Sequence, residues 1–224
     1  LRREAQNSSL FKPFRKHHIP YGIDTEEFAP RDQHFSRELL GLPKDSRIVL
    51  FIAANLTNQR KGAHLLFEAL SRLASIENLL LVSLGSNSNT LNTQLPIAHL
   101  GNISDDRLLS AAYSAANVMA IPSLQDNLPN TVLESMACGT PVVGFDTGGI
   151  PDMVRPRETG WLAPVANSER FAEHIREALE NRTLRDRLSK NCRRVALQEY
   201  TLSIQATRYM DLYRDLSNAK TSRD

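Results

Sequence analysis

The stretch Pro122-Ser123-Leu124-Gln125-Asp126-Asn127-Leu128-Pro129-Asn130-Thr131-Val132-Leu133-Glu134-Ser135-Met136-Ala137-Cys138-Gly139-Thr140-Pro141-Val142-Val143 sets the pattern of the whole chain. Val118 to Ile121 reads as a strand, and Pro122 ends it. A loop carrying Asp126 leads to a Pro-marked helix start, and Thr131 to Cys138 reads as the helix. Gly139-Thr140-Pro141 stops that helix, and Pro141 to Phe145 follows as a short, fully apolar strand.

The same alternation extends in both directions. Ile48-Val49-Leu50-Phe51-Ile52-Ala53 is an uninterrupted apolar run rich in β-branched residues, as expected of a strand buried on both faces. Gly62 to Ala74 has Leu65, Leu66, Ala69, Leu70 and Leu73 on one helical face. Leu79 to Leu84 is the next strand, ended by Gly85 and followed by the polar loop Ser86-Asn87-Ser88-Asn89-Thr90. Ile97 to Leu100 is a short strand ending at Gly101. Ser104 is a suitable N-cap for a helix lined by Leu108, Leu109, Ala112 and Ala115, with Asp105 and Asp106 favouring its dipole. A short helix is expected from Ile150 and a last strand over Gly160 to Ala163. Ser168 to Glu180, capped by Ser168, Thr183 to Glu199 and Leu202 to Leu216 read as successive helices. The polar tail Ser217 to Asp224 is expected to fray. Strands alternating with helices of crossover length define an α/β fold: a parallel sheet with helices on both faces, followed by C-terminal helices.

Composition narrows the function classes. The chain has 224 residues, 41% hydrophobic and 23% charged, enough for a substantial core. A formal net charge of +2 gives no support for nucleic acid as a partner. Cys138 and Cys192 share no ligand spacing with histidine and read as free thiols of a reducing, cytoplasmic compartment. No apolar run reaches membrane-spanning length, and Leu1-Arg2-Arg3-Glu4-Ala5-Gln6 does not open a signal peptide. The chain lacks an initiator Met, so a fragment or processed product is expected.

Ligands of open parallel sheets bind beyond the carboxyl ends of the strands. Five loops qualify, after Ile52, Leu84, Leu100, Ile121 and Phe145. The first runs Asn55-Leu56-Thr57-Asn58-Gln59-Arg60-Lys61-Gly62 into a helix. Two cations and a glycine there suit an anion; a solvated basic turn is the alternative. Asp126 and Glu134 are acceptor-only when ionised and suit the hydroxyls of a sugar or ribose. Alternatively, Asp126 caps the helix and Glu134 lies on the surface. Gly148-Gly149-Ile150-Pro151 allows a loop to pass close to a ligand, or simply turns tightly. No metal site is expected, since no His or Cys lies near the carboxylates. The six histidines show no ligand spacing; His99, near a strand end, is the one closest to this region. Arg182, Arg185, Arg187, Lys190, Arg193 and Arg194 read as a solvated helix face, with an anionic membrane or a domain partner as the weaker alternative.

Seven segments, in order, resemble the C-terminal domain of GT-B glycosyltransferases of family 4, which retain anomeric configuration. Ile19-Pro20-Tyr21-Gly22-Ile23-Asp24 through Phe28-Ala29-Pro30 is similar to the entry into that domain, and Arg60-Lys61-Gly62 to its phosphate loop. Leu100-Gly101 matches the segment near the nucleobase, and Asp126 to Glu134 the E-x7-E element. Gly148 to Val154, Glu158-Thr159-Gly160-Trp161-Leu162 and Tyr209 to Tyr213 complete the series. The resemblance implies a Rossmann-like half of a GT-B fold. Residues 1–18 would be a linker or remnant of a missing N-terminal domain, 19–200 the nucleotide-sugar-binding domain, and 201–224 a helix returning toward that missing domain.

The implied activity is transfer of a hexosyl group from a UDP- or GDP-sugar to an acceptor hydroxyl, without a metal or other cofactor, in polysaccharide or glycoconjugate synthesis. The alternative is a non-catalytic nucleotide-sugar-binding module. By the same resemblance, Lys61 would pair with the diphosphate, Glu134 with the ribose hydroxyls and Asp126 with the donor sugar. Asn55, Arg60, Gly62 and Gly85 would line the donor site, Leu100 and Gly101 would face the base, and Asn127, Leu128, Pro129 and Asn130 would shape the sugar pocket. The partners implied are the nucleotide-sugar and the N-terminal domain; peripheral membrane association of a longer enzyme stays open. Two positions depart from the family. Asp126 replaces the usual Glu, which implies an altered sugar preference, and Asn55 stands where the family has an Arg, which bears on diphosphate binding.

Overall fold

A computed structural model describes residues 2–55, 57–86 and 95–221. The elements are α1 (Arg2–Asn7), α2 (Gln33–Leu39), β1 (Arg47–Asn55), a single 3-10 turn (Gln59–Lys61), α3 (Ala63–Ser71), β2 (Leu79–Ser86), β3 (Ile97–His99), α4 (Asp106–Ala115), β4 (Val118–Ile121), α5 (Asn130–Ala137), β5 (Val142–Phe145), α6 (Ile150–Met153), β6 (Gly160–Ala163), α7 (Ser168–Glu180), α8 (Arg182–Glu199) and α9 (Leu202–Thr221). The polar loop expected over Asn87 to Thr90 lies outside the described residues, as does Leu56.

The six strands form one sheet in the order β3-β2-β1-β4-β5-β6. Every neighbouring pair is parallel, with Val49 opposite Val118 at the centre. Order reverses between β1 and β4, so the loops leaving these two strands lie at the topological switch point of the sheet. Side chains of β1 alternate across the sheet. Ile48 and Leu50 join the core beneath α4, α5 and α8, while Val49, Phe51 and Ala53 join the core beneath α3 and α7. That two-sided burial is the physical reason the run is apolar throughout. Ile23 N donates to Tyr200 O at 2.7 Å and Gly22 N to Gln205 Oε1 at 2.9 Å, which ties the segment entering the domain to the α8–α9 corner.

Several local expectations are corrected. Asp105, not Ser104, caps α4: its carboxylate accepts from Leu108 N, because the helix starts one residue later than expected. Asn167, not Ser168, caps α7 by accepting from Arg170 N. Gly62 is not helical; it sits left-handed at φ +68° between the 3-10 turn and α3. Ser217 to Thr221 continue α9, and the rest of the tail, Ser222 to Asp224, lies outside the described residues. The basic run on α8 is not uniformly solvated. Arg193 is partly buried and donates to the carbonyls of Phe28, Ala137 and Thr25, and Arg185 to those of Ala178 and Leu179.

Candidate functional site

Three loops at the carboxyl ends of β1, β4 and β5 are joined backbone to backbone. Leu124 N donates to Arg60 O at 2.9 Å, and Gly149 N to Asp126 O at 3.2 Å. Thr147 Oγ1 donates to Leu124 O at 3.1 Å. The approaches are close enough to require glycine: a Cβ at Gly62 would lie 1.9 Å from Pro122 O, and one at Gly148 would lie 1.6 Å from Asp126 O. Gly148 also has φ +58°, a conformation that side-chain-bearing residues rarely adopt.

This framework brings Lys61 and Asp126 together across 65 positions of sequence, with Lys61 Nζ 2.6 Å from Asp126 Oδ2. The 3-10 turn that carries Lys61 is capped by Asn58, whose side chain accepts from Arg60 N. Asp126 accepts further from Ser123 Oγ at 3.3 Å and from Asn127 N at 3.1 Å. Asp126 is therefore not the cap of α5. Pro129 holds that position, and no side chain bonds the first amides of the helix. The dipole of α5 and those amides are directed at the same loops.

Glu134 lies five residues into α5 and is partly buried. It is not the surface residue of the alternative reading, since Tyr113 of α4, itself fully buried, donates its hydroxyl to Glu134 Oε2 at 2.7 Å. Burial raises the Glu134 pKa above the ordinary glutamate value, while the Tyr113 hydrogen bond pulls it back down. Burial foremost, then Glu134, pushes the Tyr113 phenol well above its usual range, so it stays a donor.

The other expected residues fall into place around these groups. Asn55 ends β1 in register with Ser86, and its carboxamide oxygen accepts from Thr57 N and Thr57 Oγ1 in a local turn. Arg60 is exposed on the same loop. Gly85 and Gly101 are joined by a 2.9 Å backbone bond, and Leu100 N donates to Ser83 O, so these residues cluster at the ends of β2 and β3. His99 Nδ1 lies 3.1 Å from Ser83 Oγ. Asn127, Leu128, Gly148 and Gly149 line a cavity of about 370 Å³, whose other wall includes His17, His18 and Tyr21. Pro129 is buried and Asn130 exposed at the start of α5. Sequence reasoning did not single out Tyr113, Ser123 or Thr147; only their side-chain oxygens set them apart from ordinary packing residues.

A doubly wound parallel sheet with helices on both faces defines a Rossmann-like α/β domain. The chain belongs to the glycosyl transferases group 1 family, whose model matches residues 32–195. It is 32% identical over 196 residues to a D-inositol 3-phosphate glycosyltransferase of Geodermatophilus obscurus, covering 80% of this chain and 42% of that protein. It superimposes on a sucrose-phosphate synthase from Thermosynechococcus elongatus with TM-score 0.84 and 28% identity, covering 97% of this chain and 57% of the other. A similar fold occurs in Anabaena HepE in complex with UDP-glucose, at TM-score 0.72 and 20% identity, over 88% of this chain and 56% of that one. The fold is GT-B-like: a parallel sheet with helices on both sides, followed by C-terminal helices. The chain spans about half the length of the curated relatives it matches, between 38% and 53% of each in the first four. Among the described residues no helix is long and apolar enough to cross a membrane, and no group of His, Cys, Asp and Glu is arranged to hold a metal ion.

Proposed function

We propose that this chain is the nucleotide-sugar-binding part of a retaining family 4 glycosyltransferase that moves a hexosyl group from a UDP- or GDP-sugar to an acceptor hydroxyl, in polysaccharide or glycoconjugate synthesis. The observation that carries this reading is the pairing of Lys61 with Asp126 at the switch point of the sheet. Lys61 and the start of α5, which no side chain caps, offer positive potential for a diphosphate. Asp126 offers acceptor oxygens to the donor sugar, and Glu134, fixed by Tyr113, offers its carboxylate to ribose hydroxyls. Asn55, Arg60, Gly62 and Gly85 border the diphosphate, Leu100 and Gly101 face the base, and Asn127 to Asn130 shape the sugar pocket. UDP and UDP-glucose are ligands of the HepE neighbour, which supports this choice of donor class.

In the reaction proposed, the bond between the anomeric carbon and the diphosphate breaks as the acceptor oxygen bonds to that carbon on the same face. The acceptor proton passes to the leaving diphosphate, and Lys61 stabilises the charge that develops there. The carboxylate nearest the phosphates is engaged by Lys61, so side-chain and backbone donors, rather than a metal, are assigned this task. The unbridged, buried Cys138 and Cys192 support a reducing compartment, the cytoplasm.

We further propose that residues 19–200 form the donor domain, that 1–18 link to an N-terminal domain and that α9 returns to it. Exposed Leu202, Tyr209, Met210, Tyr213 and Leu216 on α9 support a docking role. Turnover by this chain alone is then negligible. Calorimetry and thermal shift with a panel of nucleoside diphosphates and nucleotide-sugars test the site. Binding that weakens by about 1–3 kcal/mol in Glu134→Ala is expected, and no binding of any nucleoside diphosphate would overturn the assignment.

A further inference from the structure

A second cavity, of about 380 Å³, lies at the opposite end of the sheet, where Asn117 and Pro141 lead into β4 and β5. Arg31 and His34 form one wall. The other is a stripe of α8, where Arg182, Arg185, Asp186 and Ser189 recur at helical spacing over two turns. Arg187 and Lys190, on the same helix, do not line it.

The hydrogen bonding of these guanidinium groups sets them apart. Arg37 and Arg193, elsewhere in the same layer, are each held by three protein acceptors. Arg185 is partly buried, yet only its Nη1 is bonded, to Ala178 O at 2.8 Å and Leu179 O at 3.1 Å. Arg182 Nε stands 3.6 Å from Asp186 Oδ2, longer than a strong charged hydrogen bond. Arg31 donates to Ser110 Oγ and Glu27 O, both neutral. Asp186 is thus the one carboxylate set against three guanidinium groups in the cavity wall. Burial foremost lowers the Arg185 pKa; Asp186 partly offsets this, and Arg182 and Arg47 add to the lowering, as expected where one carboxylate faces several guanidinium groups.

We propose that this cavity is a second ligand site, one that takes a phosphate monoester through Arg182 and Arg185. Guanidinium forks match phosphate oxygens bidentately, and a dianion would supply the acceptors that Arg185 lacks. Because the site opens at the amino ends of the strands, its occupant is separate from the reactants at the carboxyl ends and acts as an effector or an anchor. A free phosphorylated metabolite and a lipid headgroup present the same chemistry.

The test uses the 224-residue chain carrying Lys61→Ala, which weakens phosphate binding at the other end of the sheet. Inorganic phosphate is titrated by ³¹P line broadening, and vesicles containing phosphatidic acid by co-sedimentation. Arg182→Ala removes a solvent-exposed side chain, and thermal melting confirms that the variant folds; Arg185→Gln keeps a donor to α7 while removing the charge. Loss of phosphate or vesicle affinity by about tenfold in either variant, equal to one charged hydrogen bond, supports the site, and the ligand lost identifies the source. Affinity for both probes unchanged by the variants, or no binding of either probe to the Lys61→Ala chain, would overturn it.

Discussion

The Tyr113 hydroxyl of α4 bonds a carboxylate oxygen of Glu134 on the neighbouring α5 at 2.7 Å. One carboxylate oxygen is fixed by the protein, and the orientation of the group is set before any ligand arrives. Burial raises the pKa of Glu134, so the folded protein holds this proton more tightly than the unfolded chain does. The group therefore contributes stability below its ordinary value of 4.5, and the contribution is lost as pH rises through the raised folded value. Ligand hydroxyls favour the ionised form, so nucleoside diphosphate affinity should increase over that same interval. Calorimetry across pH checks this, with Glu134→Gln as the reference that lacks the step.

Tyr113→Phe removes the donor and leaves the ring in place. The Glu134 pKa should move further up, since the hydrogen bond that lowers it is gone. Nucleoside diphosphate binding near neutral pH should weaken by about 1–2 kcal/mol through loss of the fixed orientation. An affinity-versus-pH curve that keeps the wild-type midpoint would show that Tyr113 only packs.

The strands were legible because β1 must be apolar on both faces, and Ile48 to Ala53 show it without interruption. Helix α2 was not, because Gln33–Leu39 spans seven residues with few apolar ones and is held by Arg37, which is buried against the carbonyl of Ala115 and the side chain of Asn117. The cap of α4 was missed by one position, since Ser104 and Asp105 are both good caps and only backbone geometry chooses between them. Lys61, Asp126 and Glu134 stood out by residue type. Tyr113 did not, because within α4 its ring is indistinguishable from a core aromatic and its partner lies 21 positions on.

Two glycines with nearly equal backbone conformations separate conformational strain from loop contact. Gly101 has φ +69° and open space where a Cβ would stand, whereas Gly62 has φ +68° and Pro122 O only 1.9 Å from that position. Gly101→Ala should cost about 1–2 kcal/mol, the left-handed penalty alone. Gly62→Ala should cost at least about 3 kcal/mol, because the Lys61 and Pro122 loops must separate. Urea unfolding of the two variants gives the comparison; equal losses would mean that the loops part easily.

Both thiols should be inert in the native protein. Burial foremost pushes the Cys138 thiol up to about 12, against a lowering bond from Ser110, and pushes Cys192 higher still. Cys192 Sγ donates to Thr159 O at 3.0 Å in the core. A thiolate-directed alkylating reagent should label neither residue at neutral pH until denaturant is added, as read by intact mass. Rapid labelling of folded protein would indicate that the α8 core opens locally.

The Lys61–Asp126 pair makes opposite predictions for two ligands. In the unliganded protein Asp126 engages the ammonium that a diphosphate would need, at 2.6 Å. Asp126→Asn removes that competing charge and leaves Ser123 and Asn127 to hold the loop. A nucleoside diphosphate should then bind as well as or better than to wild type, while the extra affinity contributed by the sugar of a nucleotide-sugar should fall by about 1–3 kcal/mol. Lys61→Ala should weaken both ligands by at least about tenfold, since it deletes the cation they share. Calorimetry with the diphosphate and its sugar conjugate on each variant separates the two roles. Equal weakening of both ligands by Asp126→Asn would mean that the carboxylate only positions Lys61 and does not contact the sugar.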